Sequence, residues 1–139
     1  MFVTTWKTRI RYAETDQMGY CYYGNYPVFF EMGRVEALRS LGIRYRDLEE
    51  QGVMLPVANL EINYKRPVRY DEEITVETTI SEFPRGTRLP FDYKIFNEAG
   101  ELTTTGRALL DFAHTKTGRP CPAPESVQKA LQPFFPEAF

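Results

Sequence analysis

The chain has one histidine, His114, and two cysteines, Cys21 and Cys121. A single histidine excludes a His-rich metal site, and any Ser-His-Asp or Cys-His nucleophile would have to be built on that one residue. Two cysteines are too few for a disulfide framework, which makes a reducing cytoplasm the expected compartment. There is no Gly-rich phosphate loop, no C-x-x-C pair and no internal repeat. The opening residues lack the apolar run of a signal peptide, and no stretch is apolar for the ~20 residues a membrane span needs. A net charge of −2 gives no global pull toward nucleic acid or an anionic bilayer. Neither a nucleic-acid partner nor membrane insertion is therefore expected. Any catalysis is expected to fall to carboxylates, hydroxyls and backbone amides.

What is present fits a single domain, residues 1–139, long enough to bury one real core. Residues 4–12 mix β-branched, aromatic and basic side chains and predict a strand. Helical spacing begins at Asn25, a suitable N-cap, with Pro27 tolerated in the first turn. Val28, Met32, Val35, Leu38 and Leu41 form its stripe, Phe29 and Phe30 widen it, and Gly42 is the expected stop. A short helix over 45–51 ends at Gly52. Alternation then predicts strands over 59–65, closed by Pro67, and over 74–80. A turn at 83–87 leads to a strand over 89–95, and Asn97-Glu98-Ala99-Gly100 turns into a long fifth strand ending near His114. A terminal helix covers about 125–131, and the last residues are expected to be loose. The fold class is α+β: one long helix wrapped by a five-stranded, mostly antiparallel sheet, the hotdog arrangement.

The segment from Arg11 to Tyr26 joins the first strand to the long helix. It is crowded with tyrosines, yet it carries Asp16 and two glycines, which suits a lined cleft. An acid just before a helix N-terminus places a carboxylate beside free N–H groups and a positive dipole end. Carbonyl chemistry uses that pairing: a nucleophile or base on one side, amide donors for the developing oxyanion on the other. A turn aspartate that only caps backbone is the alternative reading of Asp16. Glu31 falls among apolar helix positions, where a carboxylate is costly unless paired, with Arg34 or a partner subunit as candidate ion-pair partners. Gly33 beside it implies a close neighbour.

The run Arg11-Tyr12-x-Glu14-Thr15-Asp16-x-x-Gly19, followed by Tyr22-Tyr23-Gly24-Asn25-Tyr26, resembles the 4-hydroxybenzoyl-CoA thioesterase family. The resemblance extends through Phe30, Glu31 and Arg34 and the strand pattern to about His114. It implies a hotdog acyl-CoA thioesterase that works without a cofactor. Asp16 would be the catalytic carboxylate, either attacking the thioester carbonyl or activating water as a base. Tyr23 would offer its backbone N–H to the thioester oxygen, and Gly24 would let the ligand come close to the backbone. The Tol–Pal-associated branch of that family has histidine where this chain has Tyr23, so aspartate alone is expected to act here. Tyr12 and Glu31 would contact substrate, Glu31 at the acyl end. Arg85 and Arg88 would meet the CoA phosphates, with Lys65 and Arg66 as weaker candidates. The resemblance also implies a homodimer or homotetramer with sites at the subunit interface. A non-catalytic acyl-CoA-binding module and an acyl-thioester hydratase or dehydratase are the competing functions; the latter needs a histidine at the site.

Overall fold

The computed structural model describes residues 1–139. Strand β1 (Phe2–Arg9) is followed by two 3-10 turns, Tyr12–Glu14 and Tyr23–Asn25, and by helices α1 (Tyr26–Ser40) and α2 (Tyr45–Glu50). Strands β2 (Val53–Met54), β3 (Val57–Tyr64), β4 (Glu73–Ile80), β5 (Arg88–Phe96), β6 (Leu102–Asp111) and β7 (Ala113–His114) come next, then helix α3 (Glu125–Leu131). Five strands form one sheet in the order β1-β4-β5-β6-β3, antiparallel at every step. β2 pairs only with β7. The alternation expected for β4 and β5 holds: Ile74, Val76, Thr78 and Ile80, and Leu89, Phe91, Tyr93 and Ile95, are all buried.

Helix α1 lies on the apolar face of this sheet, and two glycines set how close it comes. A Cβ on Gly33 would sit 2.5 Å from Thr78 Oγ1, so the helix backbone rests directly on β4. A Cβ on Gly106 would sit 2.4 Å from the Phe30 ring, so Phe30 drops into the gap that β6 leaves. Phe30 then stacks on Tyr93 with ring centroids 4.2 Å apart. This contact rotates the buried stripe of the helix away from the expected one. Tyr26, Phe29, Phe30, Gly33, Ala37 and Leu38 face the sheet, whereas Val28 and Met32 are exposed.

Other boundaries also moved. β1 starts earlier and leaves its ladder after Arg9, where Arg11 and Glu14 close a 3-10 turn. Asn25 does not cap α1: its backbone is already helical and its side chain points back to the preceding loop. Gly42, at φ +83, ends the helix as expected. The long fifth strand breaks after Asp111, because Phe112 is buried and hands its N–H to Thr87. The residues after Leu131 form two further 3-10 turns, with Phe135 buried and the Phe139 ring against Phe83. β1 and β3 are the two edges of the sheet; β1 buries or half-buries every second residue, whereas nearly every residue along β3 is exposed.

Candidate active site

The loop between β1 and α1 is fixed by Glu14. Its side chain accepts from the Arg11 backbone N–H at 2.7 Å and from the Arg11 guanidinium at 2.9 Å. Its carbonyl accepts from the Tyr22 N–H and from the Asn25 side-chain amide, both at 2.8 Å. One residue thus ties the loop's start to its end. Burial alone would raise the Glu14 pKa, but the hydrogen bonds and charge of Arg11 outweigh it and hold the carboxyl below its ordinary range.

Between those ties the chain makes a tight reversal around Asp16. The Asp16 N–H donates to the Tyr20 carbonyl, and Gly19, at φ +77, donates back to the Asp16 carbonyl. Only glycine adopts that left-handed backbone without strain. The Asp16 side chain caps the same turn: Oδ1 accepts from Met18 N–H at 2.9 Å and from Tyr20 N–H at 3.2 Å. Oδ2 accepts no hydrogen bond. The capping role therefore occupies one oxygen of the carboxylate and leaves the other without a hydrogen-bond partner.

Seven residues on, the 3-10 turn Tyr23–Asn25 runs straight into α1. The N–H groups of Tyr23 and Gly24 are its leading donors, with no earlier carbonyl of the turn to accept them. The Tyr22 carbonyl accepts from Asn25 N–H at 3.0 Å, which orients the peptide unit carrying the Tyr23 N–H. The Tyr23 carbonyl accepts from Tyr26 N–H and from the Tyr64 hydroxyl, the latter at 3.0 Å. At Gly24 the Tyr22 ring occupies the space a Cβ would take, 2.6 Å away.

Asp16 and Tyr23 line one open cleft of about 270 Å³. Tyr20, Tyr26 and Tyr64 give it aromatic walls, and Lys65, Arg66 and Pro67 stand at one side. Cys21 is also on the wall, but burial and, after it, the Glu14 charge push its thiol up to about 11. It stays protonated and unreactive at neutral pH. Burial and the neighbouring Tyr23 raise the Tyr64 pKa, so its phenol keeps its proton.

The other expected site residues lie elsewhere in this chain. Tyr12 is 80% exposed and packs edge-on against Tyr70, outside the cleft. Glu31 is exposed and lines a separate groove with Arg34, Tyr45 and Glu49, so no buried carboxylate has to be neutralised. Arg34 pairs with the Tyr45 hydroxyl instead of with Glu31. Arg88 pairs with Asp111 at 3.3 Å, and Arg85 reaches the Ala138 carbonyl. Both arginines are at the end of the sheet opposite Tyr64, since Arg88 is level with Asp111 and Tyr64 with Thr104. His114, on β7, sits in a polar groove with Gln51 and Thr117, away from Asp16. The basic side chains at the cleft are the weaker candidates, Lys65 and Arg66. Pro67 just beyond them was the sequence signal that β3 ends there. Nothing in the sequence marked Glu14 or Tyr64 as a support for the site.

An antiparallel five-stranded sheet packed against one long helix is the arrangement of the hotdog thioesterase class. Residues 10–131 match the model of the thioesterase-like superfamily, and the chain belongs to that family. YneP of Bacillus subtilis, a candidate acyl-CoA thioesterase, is 43% identical over 103 residues, 74% of each chain. The acyl-CoA thioester hydrolase YbgC of Escherichia coli is 29% identical, over 88% of this chain and 90% of that one. Among solved structures, a DHNA-CoA thioesterase from Staphylococcus aureus superposes with a TM-score of 0.84 at 38% identity, covering 99% of this chain and 87% of the other.

Proposed function

We propose that this protein is an acyl-CoA thioester hydrolase in which Asp16 and the Tyr23 N–H act on the two sides of one carbonyl. The observation that carries the reading is the division of labour at Asp16. Oδ1 is held by two backbone amides while Oδ2 is free, on a residue that lines one cleft with Tyr23, the first residue of the turn into α1. A thioester carbonyl seated there would receive the Tyr23 N–H on its oxygen. Asp16 Oδ2 would then either attack the carbonyl carbon, giving a mixed anhydride that water cleaves, or take the proton of an attacking water. Both routes expel the CoA thiolate, which gains a proton, and leave the carboxylic acid. The donor stabilises charge that exists only as the reaction proceeds. The names of YneP, YbgC and the staphylococcal enzyme support the acyl-CoA class.

Assembly belongs to the same proposal. β3 presents an unpaired edge, and an exposed strand of this length is ordinarily covered. Antiparallel pairing of β3 with β3 of a second copy would bring the far end of the partner sheet level with Tyr64. In one chain that end, which carries Arg85 and Arg88, is seven strand residues or about 23 Å from Tyr64. The arginines would thereby reach the CoA phosphates across the interface, alongside Lys65 and Arg66 from the first copy. The compartment proposed is the cytoplasm; no helix is long and apolar enough to cross a membrane.

Thiol release from short, medium, long and aromatic acyl-CoAs tests the activity. Asp16→Asn is the control, because the amide keeps an Oδ1 acceptor for Met18 and Tyr20 but loses the basic oxygen. We expect its rate to fall at least about a hundredfold with the loop intact. Comparable rates in a folded Asp16→Asn variant would remove Asp16 from the mechanism.

A further inference from the structure

We infer that Tyr64 is a positioning residue for the oxyanion-binding amide: its hydroxyl anchors the Tyr23 carbonyl and so holds the donor-bearing turn in place. The inference rests on the thioesterase reading above. Tyr64 is the last residue of β3 and comes from the far side of the sheet in sequence, 41 positions after Tyr23. Its hydroxyl donates to the Tyr23 carbonyl at 3.0 Å. Its ring packs edge-on against Tyr26 at 5.1 Å and against Tyr23 at 6.3 Å. No other side chain hydrogen-bonds to the backbone of the Tyr23–Asn25 turn.

The consequence follows from how an N-terminal turn behaves. Donors at the start of a helix have no partners within it, and the first turn frays readily. Here the Tyr23 carbonyl has one partner from the helix ladder, Tyr26 N–H, and a second from outside it, Tyr64. The second partner fixes the turn to a strand that does not fray with it. It also polarises the Tyr23–Gly24 peptide unit, whose N–H is the neighbouring donor. A hydrogen-bond donor aimed at developing charge loses its effect when its position is blurred, because a small misplacement costs far more in rate than in affinity.

Tyr64→Phe removes the anchor and keeps the ring, the cleft wall and both aromatic contacts. The Tyr23 carbonyl remains bonded to Tyr26 and open to water, so folding should be intact. The expected result is a fall in kcat of about tenfold for every acyl group tried, with KM unchanged to within about twofold, the signature of an interaction realised in the transition state. A spectroscopic readout separates this from a general loosening. In the Asp16→Asn background, where the thioester survives, its bound carbonyl stretch should move back toward the free value when Tyr64→Phe is added. Wild-type kcat in Tyr64→Phe, or a raised KM with kcat preserved, would make Tyr64 only a wall of the cleft and overturn the inference while leaving the thioesterase reading standing. Absence of turnover in the unmutated protein would overturn that reading, and the positioning role with it.

Discussion

The side-chain amide of Asn25, at the entrance of α1, donates to the main-chain carbonyl of Glu14 at 2.8 Å. This bond links the two ends of the loop that holds Asp16, and it sits where a helix cap would ordinarily be. Asn25 gives up capping because its own backbone is already helical. Its amide thus ties the start of α1 to the loop that carries Asp16 instead of capping the helix.

Asn25→Ala should therefore affect rate more than stability. Glu14 keeps the Tyr22 N–H on its carbonyl, so one hydrogen bond is lost, worth about 1 kcal/mol. For a chain of this size that is about 4 °C in Tm. kcat for the best acyl-CoA should fall about tenfold, since the Asp16 turn is no longer tied directly to the helix start. Calorimetry and steady-state thiol release on the same preparation check both halves; a Tm loss with an unchanged kcat would make the bond purely structural.

Glu14 should give the fold an acid-sensitive component. Its pKa is held below the ordinary value of 4.5 because Arg11 outweighs the effect of burial. In the window between the two values the unfolded chain binds the proton and the folded chain does not, so stability rises with pH there. The contribution is complete above the unfolded pKa and is lost as pH falls through the folded one. Urea unfolding of the wild type and Glu14→Gln from pH 3 to 6 should show curves that converge at the acid end and separate toward pH 6. A constant gap across that range would show that the carboxylate's charge is not what matters.

Gly106→Ala tests the seat of α1. The added methyl would lie 2.4 Å from the Phe30 ring and 3.1 Å from the Glu61 carbonyl. Phe30 is fully buried and stacked on Tyr93, so it has nowhere to turn. Overpacking of this kind costs about 1–3 kcal/mol. Gly33→Ala should cost less, because alanine regains about 1 kcal/mol of helix propensity against the clash with Thr78. Denaturant midpoints for the two variants give the order; a milder effect at Gly106 would mean that the helix can slide.

The architecture was legible in the sequence because its strands alternate cleanly and its helix is long. The helix face was not legible. Val28 and Met32 keep helical spacing, but Gly33 and Phe30 decide which side touches the sheet, and that depends on Thr78 and Gly106, far away in the chain. The motif singled out Asp16 and Tyr23, and the fold places both on one cleft. The loop's supports were not legible, because Glu14 acts through its main-chain carbonyl and Tyr64 arrives from another strand. Exposure of Glu31 followed from the rotated helix face. Arg85 and Arg88 were assigned to the CoA phosphates by residue type and by the family resemblance, and their distance from the Tyr64 end of the sheet appears only once the β3–β6 and β5–β6 registers are known.

That distance yields the last prediction. If Arg85 and Arg88 hold CoA phosphates, they must do so in a second copy, joined through β3. Replacing both by Ala should raise KM for acyl-CoA with little change in kcat, the pattern of uniform binding lost. Thioesters of a truncated pantetheine thiol should be almost indifferent. A β3 variant that blocks pairing, Ile62→Pro, would remove a backbone donor and resist strand association. It should give a monomer in light scattering, and in that monomer the arginine substitutions should no longer alter KM. Arg85 and Arg88 effects that persist in a monomer would place them near the cleft of their own chain, against the β5–β6 register. Equal losses on acyl-CoA and pantetheine substrates would assign both arginines to holding their turn and the chain's last residues.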